Sequence, residues 1–293
     1  MAAGLSPLDI GSDVGGSILE PAHYCGIFGL RPTEHRVSSA GMVLLEPVPV
    51  WNILMALGPM ARSARDVHLA MQVISGSEGR DYNVPPLPWR QAPKLAMQDL
   101  RIAWASTLGS AVAPDIRDAV ERLVQELGRM GAQVAERLPA VDLAEHVRLF
   151  DVLFGQVVGA FGPRPDGAPP VALADYFLAL NRRTEIIAAW EAFFADWDAL
   201  LCPIRAVTAP RNADRDAPLS IDGRPIPEEE SAIPPLLAPI SAHPAIVLPV
   251  GRDRAGLPIG VQLIGRRWDD ERLIAIAELL TAVTDGYQPP PGY

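Results

Sequence analysis

The chain has 293 residues, and 49% of them are hydrophobic, which suits one large domain or two small ones. Acidic residues outnumber basic ones by 35 to 25, and the net charge of -10 repels phosphate backbones, which argues against a nucleic-acid partner. No apolar run approaches the roughly eighteen residues that span a bilayer, and the start does not resemble a signal peptide. We therefore expect no membrane segment.

The cysteines and histidines point to no redox or metal chemistry. Cys25 and Cys202 lie far apart and form no CxxC motif, which favours reduced thiols in a cytoplasmic protein. Neither H-E-x-x-H nor a spaced Cys/His cluster occurs, so neither a metal site nor a cofactor is predicted.

The first third of the chain begins with turns and continues into a helix. Residues 1–45 are rich in glycine and carry turn signals rather than helical periodicity. In the segment 57–76 we predict a loop followed by a helix, with Ser63 as the N-cap and Asp66 in the capping-box position. Residues 77–95 form a proline-rich connector.

A strand, a helix and a strand follow at the spacing of a βαβ unit. Residues 100–105 and 132–138 are short apolar strand candidates, and Pro114 suits the first turn of the helix predicted over 114–131. The pattern predicts a parallel strand pair. One face of this helix carries its apolar residues, which are Ile116, Val120, Leu123, Val124, Leu127 and Met130.

The middle of the chain is predicted to be mostly helical over 142–201, with a proline break at 161–170. A strand is predicted over 198–204, and residues 205–240 are expected to be a long irregular lid or substrate loop. Aromatic residues at near-helical spacing are expected in the core, namely Trp190, Phe193, Phe194 and Trp197.

The last part of the chain predicts two strands, 244–251 and 258–265, joined by a turn at 253–256, and then a helix over 269–285. Strands interleaved with amphipathic helices predict an α/β protein with a mixed β-sheet flanked by helices. We treat residues 1–293 as one domain.

Glycines surround Ser17 in the stretch GSDVGGSILEPAHYCGIFGLRPT. The stretch is neither a nucleophile elbow nor an S-x-x-K motif, since position 19 is leucine and position 20 is glutamate, and no phosphate loop follows. A plain Gly-Gly turn fits as well as an oxyanion hole, whose donors would be the N–H groups of Val14, Gly15, Gly16 and Ser17. His23, the only nearby histidine, is predicted to be a packed structural residue.

The same stretch closely resembles the signature of the amidase signature family, roughly G-[ST]-D-x-G-G-S-[IL]-R-x-P-A-x-x-x-G-x-x-G-x-[KR]-P-T. The similarity continues in GPMARSARD, WDALLCPI and GLPIGVQLIG, and thus covers both ends of the chain. The resemblance implies a mixed sheet wrapped by helices, a small-molecule amide substrate, and hydrolysis through a Ser–cis-Ser–Lys triad.

The resemblance also implies a role for each residue of the motif. Ser17 would be the acylated nucleophile, the backbone at Val14, Gly15 and Gly16 would form the oxyanion hole, and Asp13 would support the loop. Leu19 departs from the family pattern, which usually has arginine there, and this departure puts the loop geometry in question.

Two parts of the triad have no match in the sequence. The family's cis-serine lies a little over twenty residues before the nucleophile, and its lysine lies further upstream. Arginine cannot replace that lysine as a base, and the single lysine, Lys94, falls in the connector. We therefore expect a partial amidase-signature domain, truncated before its N-terminal strands and helices, that is weakly active or inactive alone.

Two alternatives remain open. The chain is a non-catalytic pseudoenzyme or a subunit that needs a partner, in which case an exposed sheet edge favours self-association. Alternatively it is the amidotransferase A-type subunit that releases ammonia from glutamine for glutamyl-tRNA amidation, although the acidic composition weighs against a tRNA partner.

Overall fold

The computed structural model describes residues 1–42, 52–159, 172–211 and 217–292. The strands of these residues are β1 (Leu8–Asp13), β2 (Phe28–Arg31), β3 (Ala56–Ala61), β4 (Arg101–Trp104), β5 (Gln133–Glu136), β6 (Ala199–Pro203), β7 (Ser220–Ile221), β8 (Arg224–Pro225), β9 (Ala245–Arg252) and β10 (Pro258–Gly265). Eight of them form a mixed sheet in the order β1-β3-β2-β9-β10-β6-β4-β5, while β7 and β8 form a separate hairpin.

Helices cover both faces of this sheet. They are α1 (Leu19–Cys25), α2 (Ala64–Ile74), α3 (Pro114–Arg129), α4 (Leu143–Gly159), α5 (Leu173–Phe193), α6 (Glu228–Ser241) and α7 (Asp270–Leu280). One hydrophobic cluster joins α1, α4, α5 and α6 to one face, and another joins α2, α3 and α7 to the other. This arrangement confirms the predicted α/β fold with a mixed sheet flanked by helices.

The βαβ unit is present as predicted. Strands β4 and β5 are parallel neighbours, and α3 begins at Pro114. Five of the six predicted apolar residues of α3 are buried, but Met130 is 42% exposed. That part of the prediction was wrong because the helix ends at Arg129, so Met130 lies past its last turn.

Residues 57–61 do not form the predicted loop. They belong to β3, which pairs with β1 on one side and β2 on the other. Gly58 and Pro59 suggested a turn, but glycine is needed here because an added Cβ would lie 1.9 Å from the carbonyl oxygen of Leu30. The predicted cap of α2 is confirmed, since the Ser63 hydroxyl accepts from the Asp66 amide at 3.1 Å.

The segment 205–240 is not irregular throughout, because its last part is the buried helix α6. The helix contains three prolines, Pro234, Pro235 and Pro239, which predict a break. Burial and outside donors offset the missing backbone bonds. Arg205 Nη1, for example, donates to the carbonyl of Ser231 at 3.0 Å, which an amide at position 235 would otherwise reach.

Most of the remaining predictions hold where the structure describes the chain, but Phe193 and Trp197, which were predicted to lie in the core, are only partly buried at its edge, and the turn-rich N-terminal region contains β1, α1 and β2. Residues 142–201 are mostly helical, Trp190 and Phe194 are fully buried, and the proline break at 161–170 lies outside the described residues. Strands β9 and β10 are antiparallel, and α7 follows them. In the described ranges, no helix has the length and apolarity needed to cross a membrane.

Candidate active site

The loop between β1 and α1 carries Ser17 and is held by a single carboxylate. We call residues 13–18 the signature loop. Asp13 is fully buried, and its Oδ1 accepts a hydrogen bond from the amide of Gly16 at 2.9 Å. Its Oδ2 accepts from the amide of Ile18 at 2.8 Å and, more weakly, from that of Leu19 at 3.4 Å. The side chain thereby folds the loop back on the end of β1.

Ser17 itself is exposed at the surface of this loop. No described residue forms a hydrogen bond with its hydroxyl, and none accepts from the amides of Val14, Gly15 or Ser17. The amide of Gly16 differs because it already donates a hydrogen bond to the Asp13 carboxylate. The arrangement leaves three of the four predicted oxyanion donors without an acceptor among the described residues.

Gly16 has a backbone conformation that only glycine adopts readily. Its φ is +102°, and an added Cβ would lie 2.7 Å from Cβ of Pro235 in α6. The signature loop therefore packs directly against α6. Leu19, at the position where the family usually has arginine, is buried in the core.

A buried arginine supports the loop from below. Arg31 has no exposed surface, its Nη1 donates to the backbone carbonyl of Asp13 at 2.6 Å, and the same nitrogen lies 3.7 Å from the Asp13 carboxylate. Its Nη2 lies 4.0 Å from Glu34. These contacts give Arg31 a structural role beneath the loop.

Glu34 connects this arginine to the helices above. Arg183 of α5 donates to both carboxylate oxygens of Glu34, at 3.1 and 2.6 Å, and also to the carbonyls of Pro239 and Ile240 in α6. Burial would raise the pKa of Glu34, but the charge and hydrogen bonds of Arg183 outweigh it and hold that pKa below its ordinary value. Asp13, Arg31, Glu34 and Arg183 thus form a continuous charged network from the loop to α5.

His23 is not a base for Ser17. Its Nδ1 lies 2.8 Å from the amide nitrogen and 3.0 Å from the carbonyl oxygen of Gly260, and its Nε2 lies 3.2 Å from the carbonyl oxygen of Val207. Burial lowers the pKa of this histidine, which favours the neutral ring. Both ring nitrogens are occupied, which confirms the predicted structural role. Lys94 is exposed in the connector.

A cavity of about 450 Å³ reaches the signature loop at Gly15. Glu20 and Arg205 form one side of it, with Oε2 and Nη2 2.7 Å apart. Burial raises the pKa of Glu20, and the charge of Arg205 opposes that rise. A second cavity, of about 890 Å³, shares this pair, so the two spaces are neighbours. Among the described residues, no cluster of His, Cys, Asp and Glu could hold a metal ion.

Comparison with known protein families identifies the family to which the chain belongs. The sequence profile of the Amidase family matches residues 1–159 and 171–274. The chain belongs to the amidase family. Among the curated relatives of the chain are A subunits of glutamyl-tRNA(Gln) amidotransferase. The one from Picosynechococcus sp. is 29% identical over 99% of this chain and 67% of that protein, and the one from Roseiflexus sp. is 31% identical over 97% and 65%.

Solved structures agree on the fold. A bacterial aryl acylamidase of the amidase signature enzymes has a TM-score of 0.75 at 23% identity, covering all of this chain and 66% of that one. The A-type subunit of the amidotransferase from Thermotoga maritima has a TM-score of 0.77 at 24% identity, covering 99% and 66%. The chain thus spans about two thirds of the length of these relatives.

Sequence reasoning missed three residues of the candidate site, namely Glu34, Arg183 and Arg205. Each of them pairs with a residue that is far away in the chain. Glu34 and Arg183, for example, are 149 positions apart. No local motif marks such a pair.

Proposed function

We propose that this chain is built to hydrolyse small-molecule amides through Ser17. The Ser17 hydroxyl attacks the amide carbonyl and loses its proton to a base that none of the described residues supplies, which gives a tetrahedral intermediate. The carbon–nitrogen bond then breaks, ammonia or an amine leaves with a proton, and the acyl group remains on Ser17 as an ester. Water hydrolyses that ester and restores the serine.

The observation that carries this proposal is the exposed hydroxyl of Ser17 on a loop with free amides. The amides of Val14, Gly15 and Ser17 have no acceptor among the described residues, so they can donate to a developing oxyanion. Asp13 and Arg31 fix the loop before any substrate binds, which reduces the reorganisation needed in the transition state.

We further propose that the chain by itself is a weak enzyme. Neither His23 nor the lone Lys94 is placed as a base, and no described residue forms a hydrogen bond with the Ser17 hydroxyl. A serine without its base retains only the catalysis supplied by binding and the oxyanion donors. We expect a kcat for amides about 10³-fold or more below that of a complete enzyme of this type.

Steady-state hydrolysis of benzamide, followed by ammonia release, tests this proposal. The purified chain should release ammonia slowly, and Ser17→Ala should abolish even that rate. Ser77→Ala serves as the matched control, because Ser77 is an exposed loop serine. Fast turnover that depends on Ser17 would contradict the expected weakness, and turnover that survives Ser17→Ala would contradict the role of Ser17.

The amidotransferase A-type subunit is a second candidate, favoured by the similarity to the curated relatives. Ammonia release from glutamine that appears only when the other amidotransferase subunits are added would support it. The net charge of -10 weighs against direct contact with tRNA.

A partner-dependent or non-catalytic subunit is a third candidate, and the exposed edge of the sheet at β1 favours it. Strand β1 is an edge strand in the described sheet, with Leu8 37% and Ile10 42% exposed. Such an edge can pair with another chain. Size-exclusion chromatography at several concentrations tests this, and a monomer at every concentration argues against self-association.

A further inference from the structure

The cavity that reaches the signature loop combines an apolar wall with a charged rim. Val147 and Phe150 of α4 and Leu236 of α6 form the wall, and Pro235 closes the end next to Gly16. Its volume of about 450 Å³ falls within the range of small-molecule sites. An aromatic ring with one or two substituents therefore fits between the two helices.

The rim is acidic and lacks counter-charges. Asp151 of α4 and Glu228 and Glu229 of α6 line the cavity opposite the loop, and none forms an ion pair with a described residue. Burial raises the pKa of Asp151, and the charges of Glu229 and Glu228 raise it further. All three carboxylates are exposed and line the same cavity.

The single cation that lines the cavity among the described residues does not offset this field. Arg205 is bound to Glu20 at 2.7 Å, and its Nη1 donates to the carbonyl of Ser231. The pair is close to neutral, so the described lining has an excess of three negative charges. A ligand entering the cavity therefore meets apolar surface near the loop and negative potential at the rim.

We propose that this cavity selects amides that carry a cationic group, such as a protonated amine, at the end away from the amide. This inference rests on the proposed function, because it names the substrate class of the Ser17 site. The amide lies at Gly15, the carbon skeleton packs on Val147, Phe150 and Leu236, and the ammonium faces the rim. An amide with a carboxylate at the same place is disfavoured.

Three probes of one shape test this selection, namely benzamide, 4-(aminomethyl)benzamide and 4-carboxybenzamide. Isothermal titration calorimetry on the intact chain at neutral pH measures their affinities without any turnover. We expect the cationic probe to bind about tenfold more tightly than the anionic one, with benzamide between them, and the ratio to shrink with added salt.

Charge-neutralising variants assign the preference to the rim. Glu228→Gln/Glu229→Gln should reduce the ratio between cationic and anionic probes at least about threefold. The control Glu121→Gln/Glu278→Gln changes net charge equally on α3 and α7, which pack on the opposite face of the sheet, and should leave the ratio unchanged. Equal affinities, a preference for the anion, no binding of any probe, or an unchanged ratio in the rim variant would overturn the inference.

The outcome separates this inference from the proposed function. Affinity is measured without a chemical step, whereas acylation of Ser17 is measured with an activated ester that needs no cationic group. Selective binding without acylation contradicts the nucleophile and leaves the cavity assignment standing. Acylation without selective binding contradicts the cavity assignment alone.

Discussion

At the scale of single residues, Asp13 holds the loop that carries Ser17. Its carboxylate accepts hydrogen bonds from the amides of Gly16 and Ile18. Arg31, which lies beneath it, has no exposed surface. The motif predicted that Asp13 supports the loop. The motif did not reveal that the Gly16 amide donates to Asp13 and is therefore not available to an oxyanion. The direction of an N–H group depends on backbone angles, which residue types do not determine.

Removing this carboxylate should destabilise the protein strongly. Asp13→Ala leaves two buried amides without an acceptor and weakens the compensation of the Arg31 charge, so we expect a loss of about 3 kcal/mol in the free energy of unfolding. Asp13→Asn retains one acceptor and should lose less. Urea denaturation measures both, and a loss below about 1 kcal/mol for Asp13→Ala would contradict this role.

Gly16→Ala tests the contact between the loop and α6. The new Cβ meets Pro235 at 2.7 Å in a left-handed backbone conformation, so we expect a loss of about 2 to 4 kcal/mol. Gly79→Ala is the matched control, because Gly79 has a φ of +89° but no atom within 4 Å of an added Cβ. Thermal unfolding should show a larger loss for Gly16→Ala, and equal losses would mean that strain alone matters.

At the scale of elements, local patterns predicted most helices and strands but failed where packing overrides propensity. Strand β3 contains Gly58 and Pro59, yet it lies between two partners that supply its hydrogen bonds. Helix α6 contains three prolines, yet it is buried. Arg205 donates to the Ser231 carbonyl that Pro235 leaves without a partner, and Arg183 donates to the last carbonyls of the helix. Both arginines come from distant segments, so the sequence around α6 does not reveal these contacts.

The pair of Arg183 and Glu34 should behave as a coupled unit that holds α5, α6 and the loop region together. Arg183→Met leaves the Glu34 charge buried without its main partner, and we expect a loss of about 3 to 5 kcal/mol. Adding Glu34→Gln removes that charge and should recover part of the loss. A double-mutant cycle by urea denaturation measures the coupling, and additive losses would contradict it.

At the scale of the whole molecule, three buried histidines determine how stability depends on pH. Burial lowers the pKa of His23, and lowers that of His146 to about 4 and that of His243 to about 3. Below about pH 6.5 the unfolded chain binds protons that the folded chain does not, so stability falls as the pH drops. Burial raises the pKa of Asp270 to about 6, and it also raises the pKa values of Glu20 and Asp151, so these three carboxyl groups contribute with the opposite sign.

We therefore expect the urea midpoint to fall between about pH 7 and pH 5, with each such histidine contributing about 1.4 kcal/mol per pH unit. His146→Phe removes one titrating group from the core and should reduce the slope. His68→Gln is the control, because His68 is only partly buried on α2. A midpoint that does not change with pH would contradict this role of the buried histidines.

The resemblance in the motif predicted the fold and a candidate site because the signature loop is continuous in sequence. The cavity and its acidic rim were not predictable in the same way, because α1, α4 and α6 meet only in the folded chain. Residues 205–240 were expected to form a substrate loop, and their helical part does line the cavity, but as a buried helix rather than an irregular lid.

The most direct test of the central claim is acylation of Ser17 by 4-nitrophenyl acetate, followed by peptide mapping with mass spectrometry. An activated ester needs little help from a base, so we expect one acetyl group on the peptide that contains Ser17. The label should be absent in Ser17→Ala and unchanged in Ser77→Ala. Acetylation at other residues alone, or equal labelling of Ser17→Ala and the unmodified chain, would contradict the assignment of Ser17 as the nucleophile.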